Sequence, residues 1–163
     1  MVVSIKYKYI TINRQMIFKH KFSTKWSDFD PNRHMRHTAY ADYSAEVRTR
    51  FFLQHKLTLD DFARMHIGPI LFKEETTFIK EIHIGEDITV TMELIAATPK
   101  MERWQFKHQI FNEKGDLSAE VIAKGAWIDL QKRKLTTLPD NVLEILKNIP
   151  KSENFVSISL KTK

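Results

Sequence analysis

The densest gathering of reactive side chains is Trp26-Ser27-Asp28-Phe29-Asp30-Pro31-Asn32-Arg33-His34-Met35-Arg36-His37. Carboxylates and imidazoles move protons near neutral pH and also ligate metal ions. The chain has no cysteine, so thiol nucleophiles, thiolate zinc sites and disulfides are excluded together, and any catalysis runs through oxygen or nitrogen groups. Three roles compete for the segment. Asp28, Asp30 and Asn32 can simply cap backbone N–H groups ahead of a helix. His34 and His37, at i and i+3, can join Asp28 or Asp30 in a two-His, one-carboxylate metal set. Alternatively, a carboxylate can act beside helix N-terminal N–H groups, which stabilise developing negative charge. Neither a G-x-S-x-G elbow nor a glycine-rich phosphate loop is present in the sequence.

The flanking elements must position this cluster. From Ile17 to Trp26, Phe18, His20, Phe22, Thr24 and Trp26 alternate with polar residues, which predicts a strand with one wet face. Asp28 to Asn32 then forms a polar bend. From Thr38 to Gln54 no Gly or Pro interrupts a stripe of Tyr40, Tyr43, Val47 and Phe51, which predicts one long helix. The small residues Ala39, Ala41, Ser44 and Ala45 in its first half would allow a sheet to approach closely. A short helix over Thr58 to Met65 carries a capping-box pattern, with Asp61 three residues after Thr58.

Everything from Gly68 to Leu130 reads as strands. Ile88, Val90, Met92, Leu94 and Ala96 mark one, Trp104, Phe106, His108 and Ile110 the next, and Leu117, Ala119, Val121 and Ala123 the last. Thr98 to Lys100 and Asn112 to Asp116 are short connections, which join antiparallel neighbours. Pro139, the stripe Val142, Leu143, Ile145, Leu146, and Pro150 outline a closing helix. The fold class is α+β: an antiparallel sheet with one long helix against a face. Residues 1–15 and 151–163 read as an N-terminal extension and a C-terminal tail around a single domain spanning 16–150.

Bulk properties narrow the function further. The net charge of +6 taken alone suggests an anionic partner, but the positive charge sits at the ends. Residues 1–36 carry eight Lys/Arg against two acids, residues 37–130 eleven against fifteen, and residues 131–163 seven against three. The longest basic run is Lys132-Arg133-Lys134, too short for a nucleic-acid patch, so no nucleic acid is expected. No stretch reaches the roughly 18 apolar residues of a membrane span, and no signal-peptide core follows the first Met. The expected location is the cytoplasm, without membrane insertion.

These residues also carry a resemblance. Asp28-x-Asp30-x-Asn32-x-His34-Met35, with Tyr40 six residues after His34 and then Tyr43 and Arg48, resembles the D-x-D-x-x-G-H-V-N-N-x-x-Y signature of hotdog-fold acyl-CoA thioesterases related to 4-hydroxybenzoyl-CoA thioesterase. Phe78 to Val90 resembles that family's F-x-x-P-x-x-x-G-D-x-L-x-V strand pair, and Leu138-Pro139 its closing L-P. The likeness covers roughly residues 16–148 and follows the family's order of elements.

The resemblance implies a hotdog fold, with an antiparallel sheet wrapped around one long central helix, and hydrolysis of an acyl-CoA or acyl-carrier-protein thioester. It assigns Asp30 as nucleophile or general base, and the backbone N–H of His37, with Thr38 beside it, as the group that polarises the thioester carbonyl. His34 matches the family in type and orients the loop. No metal or cofactor is required for that chemistry, and a homodimer or dimer of dimers is expected. Six positions depart from the family: Arg33 replaces its Gly, Met35-Arg36-His37 its V-N-N, Ala45 its helical Glu with Glu46 adjacent, and Glu81 its strand Pro. They leave open a second outcome, a non-catalytic hotdog module binding an acyl group or a protein partner. Asp28 is expected to brace the turn. Lys100, Arg103 and Lys132 to Lys134 are candidates for coenzyme A phosphate contacts.

Overall fold

The computed structural model describes residues 17–159, so the N-terminal extension 1–15 lies outside the described residues. Seven strands form one sheet: β1 (Phe18–Phe22), β2 (Ile67–Phe78), β3 (Ile88–Ala97), β4 (Arg103–Phe111), β5 (Leu117–Asp129), β6 (Lys134–Leu135) and β7 (Lys151–Ser157). The order along the sheet is β1-β3-β4-β5-β2, with β6 on β5 and β7 on β3. All pairings are antiparallel except β3 with β7. Among the described residues there are three α-helices, α1 (His37–Gln54), α2 (Leu59–Arg64) and α3 (Asp140–Leu146). No helix among the described residues is long and apolar enough to cross a membrane.

The sheet follows its alternation. Ile88, Val90, Met92 and Leu94 on β3, Trp104, Phe106, His108 and Ile110 on β4, and Ala119, Val121 and Ala123 on β5 are buried on one face, as a period of two requires; a bulge after Leu94 puts Ala97 opposite Trp104 on that face and turns Ala96, expected there, to the other. The buried stripe of α1, Tyr40, Ser44, Val47 and Phe51, packs on that face. Tyr43, expected within the stripe, lies at its margin, and Ser44 takes the buried place by donating its hydroxyl to the Tyr40 carbonyl at 2.8 Å. That internal bond removes the cost of burying the hydroxyl. Ala39 and Ser44 are the small residues at the buried face, whereas Ala45 is exposed. Thr58 caps α2 through the expected box with Asp61, and Phe62 of α2 stacks on Trp127 with ring centroids 5.5 Å apart.

Two expectations are corrected. Trp26, read as part of the first strand, is 84% exposed on a single 3₁₀ turn, Trp26–Asp28. β1 stops at Phe22 because its partner β3 begins opposite, at Ile88, so the chain beyond Phe22 has no backbone to pair with. The C-terminal tail is not external to the domain. Lys151–Ser157 runs parallel to the second half of β3, held at its ends by Leu94 N–H to Pro150 O at 2.7 Å and Ile158 N–H to Ala97 O at 2.8 Å. It takes over the β3 edge where β1 leaves off, so trimming residues 151–163 would strip a strand from the sheet rather than a loose end.

One polar pair crosses the core. Arg48 of α1 donates to His108 Nε2 at 2.8 Å, and His108 Nδ1 lies 3.0 Å from the Thr91 carbonyl. The arginine can only donate, so the ring is neutral with its proton on Nδ1. Burial first, and then the Arg48 charge, push the His108 pKa down from 6.5 to about 3. Between those values the unfolded chain binds a proton that the folded chain refuses, so stability falls as pH drops below about 6.5, with a slope approaching ~1.4 kcal/mol per pH unit. His108→Gln keeps an acceptor for Arg48 but does not titrate. Thermal or urea unfolding of this variant between about pH 6.5 and 4.5 is expected to show a pH slope shallower by close to one proton; an unchanged slope would locate the acid sensitivity elsewhere.

Candidate active site

The bend after β1 is built on Asp28. Its carboxylate is buried and accepts from the Lys25 N–H at 2.9 Å, which closes the 3₁₀ turn, and from the Tyr43 hydroxyl of α1 at 2.5 Å. Its carbonyl accepts the Arg36 N–H at 2.8 Å. Burial and the adjoining Asp28 hold the Tyr43 phenol above its ordinary pKa, so it stays a donor. A loop then projects from this anchor, closed by the Phe29–Met35 bridge.

Asp30 shapes that loop with its own backbone. Its carbonyl accepts from Arg33 N–H and its N–H donates to the His34 carbonyl, both at 2.9 Å. Arg33 has φ 67°, which gives the pattern of a short hairpin loop closed by a left-handed residue. Glycine suits that position because it lacks a Cβ; here an arginine adopts the conformation, and the bend is made without glycine. Asp30 Oδ1 accepts from the N–H groups of Asn32 at 2.9 Å and His34 at 3.2 Å. Among the described residues nothing bonds Oδ2, so one oxygen is anchored and the other is free to act.

The helix beyond offers N–H groups. The first residues of any α-helix have no intrahelical acceptor, and the N-cap residue Arg36 makes no side-chain cap bond. Its guanidinium instead reaches sideways, donating to the Thr38 hydroxyl at 2.8 Å and lying 3.5 Å from Asp42. Among the described residues the N–H groups of His37 and Thr38 have no acceptor, and both side chains are exposed.

Asp30, His34, Met35, His37 and Tyr40 line an open groove of about 410 Å³, whose far wall is Phe78 to Glu81 at the end of β2. Three of the four expected site residues, Asp30, His34 and His37, therefore share one concavity; Thr38 adjoins it through the helix start without lining it. Tyr40 packs edge-on against Phe78 at 5.2 Å. Burial, then the charge of Glu81, raise its pKa to about 12, so it presents a protonated hydroxyl.

Other expected residues lie elsewhere. Glu46, next to the family's helical Glu position, bonds Arg50 at 2.8 Å and lines a separate groove with Asp28 and Tyr43. Lys100, Arg103 and Lys132 to Lys134 gather near Ala126 to Asp129 of β5, whereas Phe78 pairs with Ala119. At about 3.3 Å per residue they stand roughly 20–30 Å along the sheet from the Asp30 groove of the same chain. The expected set of His34 and His37 with Asp28 or Asp30 does not assemble either. His34 faces His83 and Glu81 instead. The sequence marked Glu81 only as a departure from the family's strand Pro and gave His83 no role; their signal was the alternation Glu81-Ile82-His83, polar either side of a buried Ile82.

Comparison with known proteins decides the family, with the thioesterase-like superfamily matching residues 24–146. The chain belongs to the thioesterase-like superfamily. A hypothetical protein from Staphylococcus aureus, characterised in complex with CoA, superposes with a TM-score of 0.74 at 21% identity, covering 89% of each chain. A 1,4-dihydroxy-2-naphthoyl-CoA thioesterase from Synechocystis superposes with a TM-score of 0.72 at 16% identity, covering 81% of this chain and 96% of its own. A DHNA-CoA thioesterase from Staphylococcus aureus gives 0.72 at 17% identity, over 81% and 87%. At these identities the likeness is one of fold: the curled antiparallel sheet and its helix are those of thioesterase-like structures. Among curated proteins, none matches the chain.

The thioesterase-like bend carries a local cost at Arg33. A left-handed non-glycine residue costs about 1–2 kcal/mol, against roughly 0.5–1 kcal/mol for the extra freedom of glycine when unfolded. Arg33→Gly is expected to raise the melting temperature by about 1–3 °C, measured by thermal unfolding. A fall would mean that the arginine side chain holds the loop by more than its backbone strain costs.

Proposed function

We propose that this protein hydrolyses the thioester of an acyl-CoA, or of an acyl-carrier protein, with Asp30 supplying the negative charge. The observation that carries this reading is the asymmetry of the Asp30 carboxylate. Oδ1 is spent on two backbone N–H groups, and Oδ2 is free in the groove that also holds His37 at the open start of α1. Family membership and the CoA-complexed structural relative support it.

In this reading the substrate carbonyl accepts from the N–H groups of His37 and Thr38, where the helix dipole favours negative charge. Asp30 then attacks the carbonyl carbon or takes a proton from the attacking water. The thiolate leaves readily, so a carboxylate suffices without a metal or cofactor. His34 orients the loop through its backbone bonds to Asp30. The neutral hydroxyl of Tyr40 adds a donor to the wall.

A second copy of the chain belongs to the same proposal. β2 is an edge of the sheet, and it presents Leu71, Phe72, Phe78 and the following Ile79 as exposed apolar side chains. An unpaired edge with apolar residues is the kind of surface that association covers. Phe78 and Ile79 also wall the Asp30 groove, so a copy docked there would help enclose the substrate. Light scattering is expected to return at least twice the 19.3 kDa of one chain; a monomer at micromolar concentration would refute this part.

The enzymatic test is thiol release from a panel of short, long and aromatic acyl-CoA substrates. On any substrate turned over, Asp30→Asn is expected to lower kcat by about two orders of magnitude or more, because the amide keeps the turn's size but not its charge. Binding of a non-hydrolysable analogue should persist. Near-normal turnover in Asp30→Asn would overturn the mechanism. Analogue binding with no turnover of any thioester by the unaltered protein would favour the acyl-binding module.

A further inference from the structure

We propose that His34, Glu81 and His83 bind a divalent transition-metal ion of the zinc class. One donor atom from each lies within 4.8 Å of the others. His34 Nε2 is 4.0 Å from Glu81 Oε2, His83 Nε2 is 3.8 Å from Glu81 Oε1, and the two imidazole centroids are 5.1 Å apart. Two imidazoles and a carboxylate form a donor set that zinc accepts, leaving a further position for water.

The backbone explains why three distant residues converge. His34 and His83 are directly opposed in an antiparallel bridge. Hydrogen bonds flank it on either side, from Met35 N–H to Ile82 O at 2.8 Å and from Ile84 N–H to Arg33 O at 3.2 Å. Opposed residues in such a ladder hold their Cβ atoms about 4.5–5.5 Å apart. Glu81 is two residues from His83 and so shares its side of the extended chain. The intervening residues Met35 and Ile82 are both buried, which roots each side of the ladder in the core.

The scaffold is therefore rooted in the core, while Glu81 and His83 are exposed and His34 is part-exposed, so the donors can adjust. Ligands at 2.0–2.2 Å from a tetrahedral ion are about 3.3–3.5 Å apart. The donor atoms, within 4.8 Å of one another, must close by up to about 1.5 Å, which rotation of partly exposed side chains can supply. Such a part-organised site fits micromolar rather than nanomolar affinity. Glu81 takes the strand-proline position of the thioesterase signature, and His83 takes one of its unspecified positions. Glu81 and His34 also line the groove that holds Asp30, so a bound ion would sit at its mouth. The proposal does not depend on the hydrolase reading, because it is measured by binding alone.

The test is calorimetric titration of the full-length, tag-free, metal-stripped protein with zinc chloride, alongside cobalt chloride, whose visible absorption reports four-coordinate nitrogen and oxygen ligation. The expected result is one ion per chain at micromolar affinity. His83→Ala and Glu81→Gln should each weaken binding at least tenfold, since each removes one of three donors. Both side chains are exposed, so unchanged thermal unfolding will show that the fold is intact. The control His66→Asn alters an exposed histidine in a left-handed turn (φ 54°) that asparagine tolerates, and it should bind as the parent does. Absence of saturation at millimolar metal, binding unchanged in His83→Ala, or equal loss in His66→Asn would overturn the proposal.

Discussion

The hydrogen bond from the Tyr43 hydroxyl to the buried Asp28 carboxylate, 2.5 Å long, ties the loop after β1 to the helix that follows it. A buried carboxyl group needs hydrogen-bond partners, and here the Lys25 N–H and the Tyr43 hydroxyl both donate to its Oδ2. The same residue's carbonyl receives Arg36 N–H, which sets where α1 begins. Without this anchor, the free oxygen of Asp30 and the unpaired N–H groups of His37 and Thr38 would have no common frame. Tyr43 sits at the margin of the buried stripe for this reason: one edge of its ring packs on Phe22 at 5.2 Å while its hydroxyl serves the bend.

The polar groups of the molecule divide by burial. Asp28, Arg48 and His108 each bond to other parts of the chain and hold elements together. Asp30, His34, His37 and Glu81 are part-exposed or exposed and keep at least one donor or acceptor open. Arg33 links the two sets, since its left-handed backbone turns the chain from the buried anchor to the open groove. Strain of this kind persists where the surroundings over-determine it, and here the bridges at Phe29–Met35 and His34–His83 enclose it on both sides.

The loop has a second backbone partner, the segment between β2 and β3. Phe78 at the end of β2 and Ile79 after it wall the groove, and the next residues supply Glu81 and His83 to the histidine ladder. One backbone pairing thus places two chemistries side by side: a carboxylate near a helix start, and a set of metal-type donors. Glu81 takes part in both settings, and its charge also helps to keep the Tyr40 hydroxyl protonated.

Much of the fold was legible in the sequence because it rests on local periodicity. The alternation in Ile88 to Ala96 and Trp104 to Ile110, the uninterrupted helical run from Thr38, and the Thr58–Asp61 box each depend on residues a few positions apart, and each became the element it announced. The motif around Asp30 was legible for the same reason, as a polar bend between a strand and a helix. What the sequence could not decide depends on partners far along the chain. Trp26 continued a perfect alternation yet left the sheet, because β3 has no residue to pair with it. Lys151 to Ser157, strand-like but with no place legible in the sequence, joined the sheet because half of the β3 edge was open. His34 found His83 rather than His37, since an antiparallel bridge outweighs proximity in sequence. Lys100, Arg103 and Lys132 to Lys134 were separated from the bend by the length of β5. Side-chain type and spacing determined which chemistry this protein can carry; the pairing of distant backbone segments, driven by hydrogen bonds that must be met and apolar faces that must be covered, decided which of those groups meet.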